Sequence, residues 1–355
     1  MRPITRVTEP ALESREAFRF VAGGDSRPTL PNCGFPRVTH RIFREMRLLR
    51  PAFVLYTGDF MWGYGAGRQE MLNDIDRFRA LADTTGVPLY NVPGNHEMQS
   101  DPTAIELLRA QGHDLFGSFS VGNWHFVGLN TDEFCLEGRV HGEQLDWLRE
   151  DLAAHRDAAG TFVFMHRPMH SWFQGDFNPD DAELLRELFA GHGVRAVFAA
   201  HDHFHHEEEH AGVRYMTVGG AGSPMYAQPP RGGFAHYVLV TVGPDGVDFN
   251  VVEPGRLDVD HVAGNDGLEP LSIARVANGT DRDLELGNLE FRVPRLESPD
   301  RYRLSVDYRD WERNAQHVPA RLRSVIDLGD GSVLLSVAVA VPTGVAFRVA
   351  VEARL

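Results

Sequence analysis

The sequence predicts an α/β domain followed by an all-β tail. Three observations carry that expectation. Apolar strand-like runs alternate with amphipathic helical runs over the first two hundred or so residues. Helix signals stop near Tyr215, where short alternating segments take over. Beyond Gly264-Asn265-Asp266-Gly267, strand-like runs separated by turn residues recur at regular spacing. At 355 residues the chain is long enough for one large domain and a smaller one. The expected division is 1–262 and 263–355.

Ala17 to Gly23 reads as a strand, Arg37 to Leu49 as a helix and Phe53 to Thr57 as the next strand, which makes an opening βαβ unit. Gln69 to Ala82 places Met71, Leu72, Ile75, Phe78 and Leu81 on one helical face. Pro88 to Val92 is a strand that runs into Pro93-Gly94. Phe119 to Asn130 reads as a hairpin turning at Gly122-Asn123. Glu143 to Ala154 and Asp180 to Ala190 are helices, and Thr161 to Met165 and Val194 to Ala199 are unbroken apolar strands. His236 to Val242 and Val247 to Val252 complete a second sheet. The tail strands are Leu271 to Val276, Leu284 to Val293, Tyr302 to Tyr308, Ala320 to Ile326, Ser332 to Val341 and Val345 to Ala353, enough for a small β-sandwich.

Composition narrows the function. A formal charge of −15 argues against a nucleic-acid or anionic-membrane surface, because both need a basic footprint. All cationic side chains are Arg, which removes a Schiff-base or phosphate-loop lysine, and coding bias is the simplest source of that. Cys33 and Cys135 are too few for a disulfide scaffold and read as free thiols. No stretch reaches the length that spans a bilayer, and Met1 to Phe18 has no apolar core segment, so a cytoplasmic protein is expected. Oligomeric state is not legible.

The chemistry lies where strands run into loops. Gly24-Asp25-Ser26-Arg27, Gly58-Asp59, Gly94-Asn95-His96-Glu97, Phe164-Met165-His166-Arg167-Pro168 and Ala200-His201-Asp202-His203 each follow a strand, with Val218-Gly219-Gly220-Ala221-Gly222 behind them. In open α/β sheets such loops converge at the carboxyl ends of the strands. Carboxylate, imidazole and amide oxygen together suit Mn, Fe, Zn or Co better than Ca or Mg. Taken one at a time, Gly-Asp is a common turn and Gly-Asn a common helix cap, so the weight lies in the set.

The order, residue types and spacing of these strings resemble the calcineurin-like metallophosphoesterase family, which includes the purple acid phosphatases, over roughly residues 17 to 255. The resemblance implies a four-layer αββα domain that hydrolyses a small-molecule phosphate mono- or diester with two divalent transition-metal ions. It implies Asp59 as the bridging ligand, Asp25 and His203 at the first metal, and Asn95, His166 and His201 at the second. It implies His96 as the group that protonates the leaving oxygen, with Glu97 as the acid that orients it. The sequence departs at the first string, where many members have Asp-x-His and this chain has Asp25-Ser26-Arg27. Guanidinium is not a ligand. The ligand Tyr of the purple acid phosphatases is also missing, with Trp62 in its place and Tyr64 two positions late. Arg27 is then either a phosphate clamp or a surface Arg paired with an acid. His170, four residues after His166, is a candidate substrate contact. Ala200 replaces the usual Gly, which is tolerable where the backbone needs no positive φ. The alternative function is a metal-binding degenerate paralogue acting as a binding protein.

Overall fold

The computed structural model describes every residue except 11, 13, 15, 31, 32, 100, 173–176, 263–269, 309–315 and 355. The chain forms two compact units, one of Met1–Arg44 with Pro51–Val252 and one of Glu45–Arg50 with Glu253–Leu355.

The first unit contains two sheets. In the five-stranded sheet, Phe18–Gly23, Phe53–Tyr56 and Leu89–Asn91 run parallel, and Tyr237–Gly243 and Gly246–Val252 add antiparallel at one side. In the six-stranded sheet, Trp124–Leu129, Gly160–Met165, Val194–Ala199 and Val213–Val218 run parallel, with antiparallel edges at Gly117–Val121 and His205–His210. Phe20, Phe53, Phe126, Phe162 and Phe198 fill the space between the sheets. Their rings interlock, with centroids 4.9 Å apart for Phe53 and Phe126 and 5.1 Å for Phe20 and Phe162. Burying large aromatic area is the main source of cohesion in such a layer.

Helices cover the outer faces because parallel strands need crossovers. Arg37–Leu49 and Arg68–Asp83 pack on the first sheet, where Phe43 and Phe78 meet Tyr56 at centroid distances of 6.1 and 4.8 Å. Gly142–Ala154 and Pro179–Gly191 pack on the second, where Leu148, Leu152, Leu185 and Phe189 join Val127, Val163 and Val197 in one buried cluster. The layers are therefore helix, sheet, sheet, helix, as the sequence implied.

The second unit is a β-sandwich of antiparallel strands. One sheet has the order Leu257–Val262, Ser272–Asn278, Val345–Ala353, Tyr302–Asp307, and the other Leu284–Pro294, Ser332–Val341, Ala320–Asp327. Leu257–Val262 pairs with Ser272–Asn278 and so belongs with the longer segment of this unit, Glu253–Leu355. The Gly264-Asn265-Asp266-Gly267 segment lies outside the described residues. Asn278 of the Asn-Gly-Thr triplet is buried, and its amide donates to the carbonyls of Arg282 and Val341 at 2.8 Å each, so it is not available for glycosylation.

Candidate metal centre

Five loops leave the carboxyl ends of parallel strands in the first unit and carry the six expected ligands, the last loop holding both His201 and His203. Asp25, Asp59 and His201 all have positive φ, at 62°, 55° and 67°. A side chain in that region is sterically disfavoured, least so for a short polar residue such as Asp, and three such positions converge here. Gly58 is required for a different reason. Its φ is 91°, and a Cβ there would come within 2.5 Å of the Gly94 amide nitrogen. Ala200 has no positive φ; the strained residue is His201, which explains why Ala is accommodated.

The side chains form two adjoining groups. Ligand atoms of Asp25, Asp59 and His203 lie within 4.8 Å of one another, and all three residues are buried. In the other group, Asn95 Oδ1 lies 2.8 Å from His166 Nε2 and 2.9 Å from His201 Nδ1, and the two ring nitrogens are 3.3 Å apart. Asp59 joins the groups, since its Oδ1 is 3.4 Å from His166 Nε2.

The hydrogen bonds test whether these residues fit a cation. His166 Nδ1 lies 2.8 Å from the Thr57 carbonyl, and His203 Nδ1 lies 2.7 Å from the Pro224 carbonyl. A carbonyl only accepts, so both rings donate from Nδ1 and turn an Nε2 lone pair inward. That lone pair meets another acceptor in each case, Asn95 Oδ1 for His166 and Asp25 Oδ1 at 3.6 Å for His203. Both oxygens of Asp25 are buried without a donor. Acceptors facing acceptors in a buried site are satisfied by a positive charge between them, and the spacings of 2.8 to 3.6 Å bracket the roughly 3.0 to 3.4 Å expected between ligand atoms on bonds of about 2.1 Å. The residues fit.

His201 is arranged differently. Arg167 Nη1 lies 3.0 Å from its Nε2, and a guanidinium only donates, so the ring proton sits at Nδ1 and must give way to a cation there.

Electrostatics follow from this crowding. Burial alone would raise the Asp59 pKa, but the fields of His166, His96 and His201 outweigh it and hold the carboxyl below its ordinary range. Burial opposes charge on His166 and His203 too, yet Asp59 and Asp25 respectively lead the terms that raise both. Burial lowers the His96 pKa against the pull of Asp59.

The three residues expected to act on substrate take distinct positions. His96 Nδ1 donates to the Trp62 carbonyl, and its Nε2 lies 3.8 Å from Asp59 Oδ2. Glu97 does something other than the orienting role expected of it. Its fully buried carboxylate accepts from the backbone N–H groups of Gly94, Asp59, Phe60 and Met61 at 2.7 to 3.1 Å, which pins the bridging-ligand loop to the Asn95 loop. Burial and the Asp59 charge push its pKa up to about 8. Arg27 packs its guanidinium 5.6 Å from the Trp62 ring centre, and its Nε is buried without a hydrogen-bond partner.

Sequence reasoning gave no role to four neighbours. The Tyr64 hydroxyl accepts from Asn95 Nδ2 at 2.9 Å, which turns Asn95 Oδ1 toward the imidazoles. Arg167 is buried and ties His201 to Asp132 at 2.7 Å and Glu137 at 2.9 Å. Asp202 faces away from its flanking histidines and accepts from Ser171 Oγ and the Trp172 amide. Tyr226 stacks on His203 with ring centres 4.1 Å apart. Tyr64 left a trace in the sequence as the displaced Tyr, Arg167 and Asp202 as parts of ligand strings, and Tyr226 left none.

Comparison with known proteins identifies the family. The family model for the calcineurin-like phosphoesterase matches residues 32–205. Mouse serine/threonine-protein phosphatase CPPED1 is 30% identical over 246 residues, covering 59% of this chain and 76% of that protein. A probable cyclic nucleotide phosphodiesterase of Synechococcus is 24% identical, covering 50% of this chain and 68% of that one. A probable inactive purple acid phosphatase 9 of Arabidopsis thaliana is 24% identical over 55% of this chain and 34% of its own. Among solved structures, a dimetal phosphatase from Danio rerio has the same fold, with a TM-score of 0.51 at 17% identity, covering 67% of this chain and 99% of that one.

Proposed function

From the premise that the chain belongs to the calcineurin-like phosphoesterase family and is a phosphoesterase hydrolase, we propose that it hydrolyses a small phosphate ester at a dinuclear centre. Asp25, Asp59 and His203 would hold one divalent transition-metal ion, and Asp59, Asn95, His166 and His201 would hold the other. When bound, such a pair activates a shared water as nucleophile and polarises the phosphoryl oxygens. The chain's own residues do the rest. Asp59 spans both groups. His96, fixed at Nδ1 by the Trp62 carbonyl, presents Nε2 for proton transfer to the leaving oxygen. Arg27, held beside Trp62, offers a guanidinium to a phosphate oxygen. Glu97 keeps the loops that carry Asp59 and Asn95 in register.

The observation that carries this reading is the buried Asp25 carboxylate, whose two oxygens have no donor and which faces the inward-turned His203 Nε2. A binding protein derived from the same fold is the competing reading, and the absent Asp-x-His ligand favours it. His96 argues the other way, because a scaffold has no use for a proton donor beside Asp59.

Replacing Asp59 with Asn tests the proposal. The variant should fold normally, lose bound metal and hydrolyse p-nitrophenyl phosphate at about a hundredth of the wild-type rate or less, the scale of removing one dominant electrostatic element. Near-normal turnover with undiminished metal content would overturn the bridging role.

A further inference from the structure

We infer that Tyr226 is a positioning residue that holds the Arg27 guanidinium for the phosphate. This rests on the phosphoesterase reading above and adds a residue to its substrate clamp. Tyr226 lies on the segment that follows Gly219-Gly220-Ala221-Gly222, and that segment is tied to both loops of the first ligand group. The Ala221 and Ser223 amides donate to the carbonyls of Gly24 and Asp25 at 2.9 and 2.8 Å, and the Tyr226 amide donates to the His203 carbonyl at 3.1 Å. His203 is tied back from its side chain, where Nδ1 donates to the Pro224 carbonyl at 2.7 Å. The phenol ring then stacks on the His203 imidazole, with ring centres 4.1 Å apart and planes 23° from parallel. Backbone and stack together set where the Tyr226 ring lies.

The hydroxyl of that ring is hydrogen-bonded to the Arg27 side chain. A guanidinium only donates, so the phenol oxygen accepts. Arg27 also packs beside Trp62, 5.6 Å from its ring centre, so contacts from two separate loops hold one long side chain. Arg27 Nε remains buried without a partner, which leaves a donor for an arriving oxygen. The pair borders the rest of the site. Asp25 and Asp59 act on the Tyr226 hydroxyl together with Arg27, and the Arg27 charge is felt at His96 after burial and Asp59. Two parallel hydrogen bonds to a phosphate need a guanidinium whose plane is fixed beforehand, and Tyr226 supplies part of that fixing. Side-chain freedom already given up in the free protein is not lost again on binding.

The test uses the full chain loaded with Mn, comparing wild type, Tyr226→Phe, Arg27→Ala and the double variant on p-nitrophenyl phosphate. Binding of inorganic phosphate, measured by titration calorimetry, is a second readout that needs no turnover. Tyr226→Phe keeps a ring on His203 and removes only the hydroxyl, so metal content and melting stay as in wild type. Each single variant should weaken phosphate binding and raise KM by about tenfold, the scale of a hydrogen bond to a charged group, with kcat changed far less. In the Arg27→Ala background, Tyr226→Phe should add no more than about a twofold loss, because both changes act on one contact. That pattern of phosphate binding in a protein that hydrolyses no ester would support the positioning role and remove the phosphoesterase reading. Additive losses, or a Tyr226→Phe variant that binds phosphate as wild type does, would overturn the positioning role while hydrolysis itself stands. Loss of metal from Tyr226→Phe would also overturn it, in favour of the hydroxyl as a ligand.

Discussion

Arg27 occupies the position where the family pattern places a histidine, and it packs beside Trp62, which stands where the purple acid phosphatases have a tyrosine. Under the proposed assignment both exchanges would remove a ligand from the same side of the centre and leave Asp25, Asp59 and His203 there. Arg27→Ala should lower kcat/KM on p-nitrophenyl phosphate by about tenfold or more, the scale of a charged hydrogen bond, with unchanged metal content. Arg27→His should restore Asp25-x-His and tighten the weaker of two binding steps in a metal titration. Wild-type sites that fill with equal, tight affinity would show that another group, such as Tyr226 beside His203, completes the first shell. At this scale the convergence of the candidate residues was legible, because each follows a recognisable strand. Their supports were not. Tyr64 meets Asn95 across 31 residues, Glu97 meets Asp59 across 38, and Arg167 meets His201 across 34, and no local pattern encodes such pairings.

Elements with strong periodicity were legible nearly to the residue. Arg37–Leu49, Val194–Ala199, Ser332–Val341 and Val345–Ala353 match their expected bounds, since one apolar face or an unbroken apolar run defines each. His205–His210 was not anticipated. Its sequence, His-His-Glu-Glu-Glu-His, has no apolar alternation because the strand lies at a sheet edge, where pairing with Val213–Val218 alone sets its register. The helices Asn95–Met98 and Ala104–Ala110 are too short to show a period. Just beyond the second of these, His113 stacks on Phe60 at 5.6 Å with both ring nitrogens buried and without partners. Burial, with help from the Arg79 charge and against that of Asp114, depresses its pKa from 6.5 to about 3. The unfolded chain therefore binds a proton below about pH 6.5 that the folded chain refuses, so this contribution to stability is full above that pH and falls away toward pH 3. Urea unfolding at pH 7 and pH 4.5 should show His113→Leu losing less stability between those points than wild type does.

On the scale of the whole molecule, the chain has two compact units, and every expected ligand lies in the first. A ligand that binds only the folded state stabilises the unit that holds it. Calorimetry should therefore show Mn or Zn raising the melting transition of the catalytic unit, and a chelator lowering it, while the transition of the β-sandwich stays within a degree or so of its original position. A single transition that moves as one would show that the units unfold together. The fold class of both units was legible from the sequence, because alternation of helix and strand signals, followed by strand signals alone, is a property of composition along the chain. The division between them was not, since Leu257–Val262 declares its membership only through its partner Ser272–Asn278.

The left-handed backbone at Asp25, Asp59 and His201 has a consequence for how this protein drifts and how it is engineered. Glycine fits that conformation better than any of the three residues now there. Selection for thermal tolerance alone, whether in a laboratory screen or in a lineage released from its substrate, is thus biased toward removing the reactive groups first and leaving a sturdier shell behind. Variants from such a screen should be assayed for bound metal before their improved melting is counted as a gain.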